Sequence, residues 1–293
     1  MNINLKWDNY YDKSILILSL INLYIILCSI WIEKKHSHKY KIVAISYANN
    51  KYLKQLKINK FTAIHVGKVD EYYSYGPDDI DVNFKKMNKD ILLRPRGNGY
   101  WLWKPYFIYK TLKDKLNKGD YLIYTDSGIF YFDKVEKIIK FMIKTNEDIW
   151  AVRTRYLEKK YSKRDAFILL DADFPIYTDT FQYMAGIQIY KKSKLSENFL
   201  EKLLHYSTDK RIVTDDPNTQ GLPNYEGFID NRHDQTVLSI LTKKFRFSNL
   251  NKNTTKASDL NKINVNLMPN IFYIYRRLKF NSYYDLRKKC LHY

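Results

Sequence analysis

The sequence predicts an α/β protein, a three-layer α/β/α domain. Three observations predict it. Short apolar segments of strand length alternate with helix-period segments from about residue 41 to 244. Hydrophobic residues make up 45% of the 293, enough for a sizeable core despite a formal charge of +19. One acidic residue, Asp126, directly follows an apolar strand-like run. In open α/β sheets, ligands bind beyond the carboxyl ends of strands.

The elements follow in order. Lys41-Ile-Val-Ala-Ile-Ser46 reads as a buried first strand, and Asn49 to Lys60 as a short helix and turn. Phe61-Thr-Ala-Ile-His-Val66 reads as a second strand and Asp78 to Lys89 as a polar helix. Tyr100 to Leu116 is amphipathic, with Pro105 in its first turn, where a missing N–H costs little. Tyr121 to Thr125 is a third strand, and Val135, Ile138, Ile139 and Met142 give Tyr131 to Lys144 a helical period. Asp148 to Val152 and Ala185 to Tyr190 are further strands; Ser196 to His205 and Asp234 to Lys244 are helices. Residues 207–231 form a long loop, and loops of that length are usually functional or disordered.

Outside this core, Ile15 to Ile32 is an uncharged run of eighteen residues. A bilayer-spanning helix needs roughly 17–25 apolar residues. The expected organisation is therefore an N-terminal tail and membrane anchor over 1–39 (helix about 15–32), a catalytic domain over 40–248, and a polar linker with a basic, aromatic tail over 249–293. A buried core helix is the alternative for the run. A cleaved signal fits poorly, since Ile30-Trp31-Ile32 is no small-residue cleavage site. The expected location is a single-pass membrane protein. The flanking lysines lean towards a cytosolic domain, whereas the sequon Asn253-Thr254-Thr255 would matter only in a lumen.

Composition excludes several classes. Nine Gly and seven Pro exclude collagen-like and Pro-rich chains, and two Cys exclude a disulfide framework. The positive charge fits a phosphate-bearing substrate, a membrane surface or nucleic acid. No zinc-finger spacing, RNP-like motif or Arg-rich arm is present, so nucleic acid ranks last among these partners. There is no P-loop, no G-x-G-x-x-G, no G-x-S-x-G and no H-E-x-x-H.

Three segments remain as carriers of chemistry. Asp126-Ser127-Gly128 ends the third strand, where a carboxylate can hold a hard divalent cation or simply cap a turn. Arg96-Gly-Asn-Gly-Tyr-Trp-Leu-Trp-Lys-Pro105 offers aromatic faces for a base or sugar and cations for phosphates. Its tryptophans serve equally as core anchors. Asn231-Arg-His-Asp-Gln-Thr236 opens a helix, so that His233 and Asp234 can supply a metal ligand and a base, or Asp234 only a favourable helix-start charge. Of two D-x-D strings, Asp79-Ile-Asp81 lies in a polar helix start and Asp171-Ala-Asp173 before a Pro175 turn.

Taken together, Gly-Tyr-Trp-Leu-Trp-Lys-Pro, Tyr-Thr-Asp-Ser-Gly and Arg-His-Asp-Gln resemble the nucleotide-diphospho-sugar transferases of the GT-A fold. The likeness is to a poorly characterised bacterial and large-virus group, similar in plan to glycogenin-like enzymes. It spans roughly residues 40–248 and implies a GT-A-like domain with a mixed central sheet. It implies a glycosyltransferase that moves a sugar from a nucleotide-diphosphate donor to a hydroxyl on a glycan, lipid or protein. It assigns Ser46, Tyr47, Arg96, Tyr100, Lys104, Ser127, Gly128, Gly186 and Gln188 to the donor, and Asp126 and Asp234 to catalysis. A divalent cation, Mn²⁺ or Mg²⁺, would sit on Asp126 with His233. Gly128 stands where the family's second carboxylate is expected, and Asp171-Ala-Asp173 falls too late to be the metal motif. Two alternatives stay open: a degenerate, membrane-tethered binding or scaffold protein, and a basic nucleic-acid-binding protein.

Overall fold

A computed structural model describes residues 40–246, Ser248, residues 256–258 and the backbone of Phe272–Ile274. The expected membrane helix over 15–32 and most of the expected linker and tail lie outside the described residues. Among the described residues, no helix is long and apolar enough to cross a membrane.

The domain is built on a mixed five-stranded sheet. β1 (Ile42–Tyr47), β2 (Glu71–Tyr75) and β3 (Tyr121–Thr125) run parallel, with β1 between the other two. β6 (Phe181–Lys191) lies antiparallel to β3, and β5 (Ile149–Leu157) antiparallel to β6, giving the order β2-β1-β3-β6-β5. β4 (Ile129–Tyr131) forms a separate two-stranded ribbon with β7 (Phe272–Ile274), so part of the segment expected as linker and tail supplies a strand.

β1 and β3 are buried along their whole length, as central strands covered on both faces must be. Side chains alternate between the faces. Val43, Ile45 and Tyr47 with Leu122 and Tyr124 enter the main core, which they share with α3 (Trp103–Lys115), α6 (Lys194–Ser207) and α7 (Asp234–Arg246). α1 (Leu53–Thr62) covers the other face, where its Asn59 donates to Thr125 Oγ1 at 2.9 Å and accepts from the Tyr72 hydroxyl at 2.5 Å. The remaining longer elements are α2 (Val82–Met87), α4 (Glu136–Thr145) and α5 (Arg164–Leu169). The α/β architecture is as the sequence predicts.

Two expectations are corrected. Phe61 to Val66 is no strand: α1 continues through Thr62, and Ala63–Gly67 widen into a π-type turn. Thr62 Oγ1 donates back to the Ile58 carbonyl, a bond that tends to bend a helix, at the point where the widened turn begins. The second strand is instead the half-exposed edge Glu71–Tyr75, whose polar and aromatic residues carry no buried-strand pattern. The long loop 207–231 contains one helical turn, Lys210–Val213, and is tied down elsewhere. The buried Asp165 carboxylate accepts from the Thr219 and Gln220 backbone N–H groups at 2.7 and 3.1 Å.

Candidate functional site

A cleft of about 1060 Å³ opens at the carboxyl ends of β1 and β3. Its floor is Asp126. The turn after β3 is held by backbone bonds from Asp126 N to the Gly186 carbonyl and from Ile129 N to the Asp126 carbonyl, both 2.9 Å. Gly186 leaves room for the Asp126 carboxylate, since a Cβ there would come within 3.1 Å of Asp126 Oδ2 and press it aside.

Lys104 projects from the first turn of α3 and is 4% exposed. Its Nζ lies 3.2 Å from Asp126 Oδ1 and 2.6 Å from Asp234 Oδ2. It also lies 5.3 Å from the centre of the Tyr124 ring and 5.8 Å from that of Trp103. The Tyr124 hydroxyl donates to the same Asp126 Oδ1 at 2.6 Å. Burial alone would lower the Lys104 pKa, but Asp126 and Asp234 raise it above the ordinary lysine value. Lys104 is thus a fixed ammonium. Asp234, at the start of α7, is shifted upward by burial despite the opposing pull of Lys104.

The segment before α3 explains its unusual sequence. Five successive residues, Gly97 to Trp101, have φ between 49° and 92°, a left-handed turn. L-residues pay roughly 1–2 kcal/mol each for this backbone. Glycines relieve two of the five positions, and a Cβ on Gly97 would sit 2.2 Å from the Trp101 ring. The turn is fixed by Tyr100 N to the Arg96 carbonyl at 2.8 Å and Trp103 Nε1 to the Gly97 carbonyl at 3.0 Å. Its product is a wall on which Trp103 stacks against Tyr47 with centroids 3.7 Å apart, while Asn98 donates to the Tyr47 hydroxyl. Observed backbone strain beside a cleft points to function.

Nine of the residues expected at the site line this cleft: Tyr47, Arg96, Lys104, Asp126, Ser127, Gly128, Gly186, His233 and Asp234. Three do not. Ser46 is buried, on the opposite face of β1 from Tyr47, as strand alternation dictates. Gln188 is satisfied inside the sheet, donating to the Ala185 carbonyl at 2.8 Å and accepting from the Tyr190 hydroxyl at 2.5 Å. Tyr100 turns away and donates to Asp215 at 3.2 Å. The Asp171-Ala-Asp173 string does not line the cleft: Asp173 accepts from Arg164 at 2.7 Å and from the Tyr225 hydroxyl at 2.6 Å, and Asp171 lies 3.6 Å from Lys244.

Sequence reasoning missed the partners at the rim. Arg96 bridges Asp215 at 3.0 Å and Asp230 at 3.8 Å, both from the long loop region. Only the length of that loop signalled a role. Four cations of the lining (Lys51, Arg96, Lys104, Arg232) face three carboxylates (Asp126, Asp230, Asp234), so the cleft is nearly balanced despite the strongly positive chain.

His233 is buried and stacks on Trp101 with centroids 5.3 Å apart. Its Nδ1 is 2.8 Å from the Val213 carbonyl, which makes Nδ1 the protonated nitrogen of the neutral ring, and its Nε2 is 4.0 Å from Asp215. Among the described residues, no three His, Cys, Asp or Glu side chains converge to hold a metal ion. Burial lowers the His233 pKa below the ordinary 6.5. A histidine whose folded pKa is depressed stabilises the fold above its unfolded pKa and loses that contribution as pH falls below about 6.5. Wild-type melting temperature is therefore expected to drop on acidification between about pH 8 and 5, with the drop reduced in His233→Asn. Asn suits this position because it tolerates the left-handed φ of 55°. Melting curves across that range check it.

No protein-family model matches the sequence, and no curated protein matches it. Among solved structures the chain is similar to the bifunctional glycosyltransferase WbbM in its apo form (TM-score 0.40, 11% identity), covering 70% of this chain and 38% of that one. It is similar to core-mannan synthase A (CmsA/Ktr4) from Aspergillus fumigatus in its Mn/GDP form (TM-score 0.40, 12% identity), covering 71% of each chain. It is also similar to mouse xyloside xylosyltransferase 1 in its apo form (TM-score 0.38, 10% identity), covering 71% of this chain and 82% of that one. These are low-identity similarities to GT-A glycosyltransferase structures, and this chain spans well under half of WbbM. The functional reading rests on the cleft's own residues.

Proposed function

We propose that the cleft transfers a sugar from a nucleoside-diphosphate donor to a hydroxyl acceptor on a glycan, lipid or protein. The observation that carries this reading is the buried Lys104 ammonium between Asp126 and Asp234 at the end of β3. Tyr47 on Trp103 offers a face for the base, and Arg96 at the rim offers a planar donor for phosphate. The ammonium has three donors. It is ion-paired with two carboxylates and donates only a long bond to the Ala185 carbonyl, at 3.5 Å. An N–H so weakly engaged would be available to negative charge on the departing diphosphate.

In the reaction, the bond between the sugar's anomeric carbon and the phosphate oxygen breaks. The electron pair leaves with the nucleoside diphosphate, which Lys104 stabilises. The acceptor oxygen bonds to the anomeric carbon. Its proton passes to Asp234, whose buried carboxylate has a basicity raised towards that of a useful general base. Asp126, 40% exposed at the end of β3, is the carboxylate that would face the donor sugar. Membrane attachment through residues 15–32 would bring the cleft to a lipid-borne or membrane-bound acceptor.

The test is melting of the full chain against UDP, GDP, CDP and CMP and their sugars. One nucleotide series is expected to raise the melting temperature with concentration, and Lys104→Met to abolish the shift. No stabilisation by any of them would remove the reading. A second reading, a nucleotide-sugar-binding module without turnover, is favoured by Gly128 at the position of the second carboxylate. Binding without release of nucleotide from any donor, across a panel of hydroxyl acceptors, supports it.

A further inference from the structure

We infer that Lys104 does the work of a divalent cation in this cleft, and that Asp126 holds no metal ion during sugar transfer. The inference rests on the cleft being a nucleoside-diphosphate-sugar site, and it specifies how that site manages charge.

The geometry comes first. A hard divalent ion takes six or more oxygen ligands and is normally held by more than one carboxylate or by a carboxylate with substrate phosphates. Asp126 is the carboxylate placed to serve, but its Oδ1 already accepts from the Tyr124 hydroxyl at 2.6 Å and faces Lys104 Nζ at 3.2 Å. Its Oδ2 lies over the side of Gly186 where a Cβ would project, and the carboxylate as a whole is 40% exposed to the cleft, so one oxygen at most is left for an ion. The residue two positions on is Gly128, which has no side chain to add a ligand. Asp234, the other carboxylate nearby, gives its Oδ2 to the same ammonium at 2.6 Å. The two anionic groups that would hold a metal therefore share one buried cation, which offsets one of their two negative charges.

Lys104 is also in no position to yield. Its side chain is 4% exposed and is fixed by two carboxylates and two aromatic faces. A divalent ion brought to Asp126 would sit beside a like charge that is itself buried and cannot move away. His233 adds at most one ligand: its Nδ1 is held by the Val213 carbonyl, which leaves Nε2, and among the described residues no three His, Cys, Asp or Glu side chains converge to hold an ion. What remains is an internal cation with one weakly engaged N–H, at the place where a diphosphate leaving group needs charge. The step needs no co-reactant: the leaving electron pair is stabilised by an ammonium that keeps its proton throughout.

The experiment is Mn²⁺ titration of the full chain, followed by Mn²⁺ electron paramagnetic resonance and calorimetry, with and without a nucleoside diphosphate. Wild type and Asp126→Asn are expected to take up Mn²⁺ equally. Removing the repelling charge in Lys104→Met exposes two carboxylates to each other, and that variant is expected to gain Mn²⁺ affinity by about 10–100-fold, lost again in Lys104→Met/Asp126→Asn. Stoichiometric Mn²⁺ uptake by wild type that Asp126→Asn weakens by that factor would overturn the inference. The wild-type against Asp126→Asn comparison decides the matter even if Lys104→Met fails to fold. Metal uptake is read without turnover, so it stands apart from the nucleotide melts: absent nucleotide stabilisation sinks the donor reading, whereas Asp126-dependent Mn²⁺ uptake sinks this one.

Discussion

Lys104→Met is expected to lower kcat/KM for sugar transfer by about 10²–10³-fold, the usual cost of losing one preorganised charge donor at the reacting centre. Methionine keeps the stem length that fills the space between Trp103 and Tyr124 and removes the charge. Asp126 and Asp234 then face each other with no cation between them. The fold also pays, because Asp234 is buried and its partner is gone; breaking such a pair costs about 3–5 kcal/mol. Part of that returns when Asp234 takes a proton. Its folded pKa, already raised, rises further, so the penalty is present at neutral pH and shrinks as pH falls through the raised value. The variant should therefore melt closer to wild type in mild acid than at neutral pH. Steady-state rates at saturating acceptor, with melts at both pH values, separate the catalytic loss from the folding loss.

The second large effect lies away from the cleft. Lys243→Met is expected to destabilise the domain by about 3–5 kcal/mol. That corresponds to a melting shift on the order of 10 °C for a domain of this size. Lys243 and Glu158 are fully buried, with Nζ 2.6 Å from Glu158 Oε2. The ammonium also donates to the Tyr177 and Thr180 carbonyls at 3.0 and 3.2 Å, tying α7 to the chain before β6. Glu158 Oε1 accepts from Ser162 at 2.7 Å and Gln182 at 2.8 Å, and its Oε2 accepts from Ser239. Removing one charge strands the other inside this network. Glu158→Gln/Lys243→Met removes both charges and is expected to recover most of the loss, since neutral replacements of a buried pair are often well tolerated. Urea midpoints of the single and double variants check this, with the transfer rate per folded molecule unchanged.

Much of the fold was legible because its central strands are buried on both faces. Ile42–Tyr47 and Tyr121–Thr125 read as strands from composition alone, and the carboxylate at the end of β3 could be placed at once. The edge strand Glu71–Tyr75 was not legible, because half-exposed tyrosines and a glutamate carry no buried pattern, and the apolar tail of α1 took its place. At the site, Lys104, Asp126 and Asp234 were each singled out as residues. Their contact was not, because it joins positions from α3, β3 and α7 that only the sheet brings together. Ser46 failed for a one-residue reason: neighbours on a strand face opposite sides, and Tyr47 is the one that meets the cleft. Gln188 failed because a polar side chain in a strand can be satisfied by its own strand. The hold of Asp215 and Asp230 on Arg96 is set by how a long loop folds back, and no local pattern encodes that.

The most direct measurement is release of nucleotide (UDP, GDP or CMP) by the full chain from a panel of UDP-, GDP- and CMP-sugars, run in EDTA and in Mn²⁺ with a mixture of hydroxyl acceptors. Release from one donor at equal rates in EDTA and Mn²⁺, lost in Lys104→Met, is the predicted result. Release that survives Lys104→Met in EDTA, or no release together with no nucleotide-dependent stabilisation, would contradict a sugar-transfer site organised around that buried ammonium.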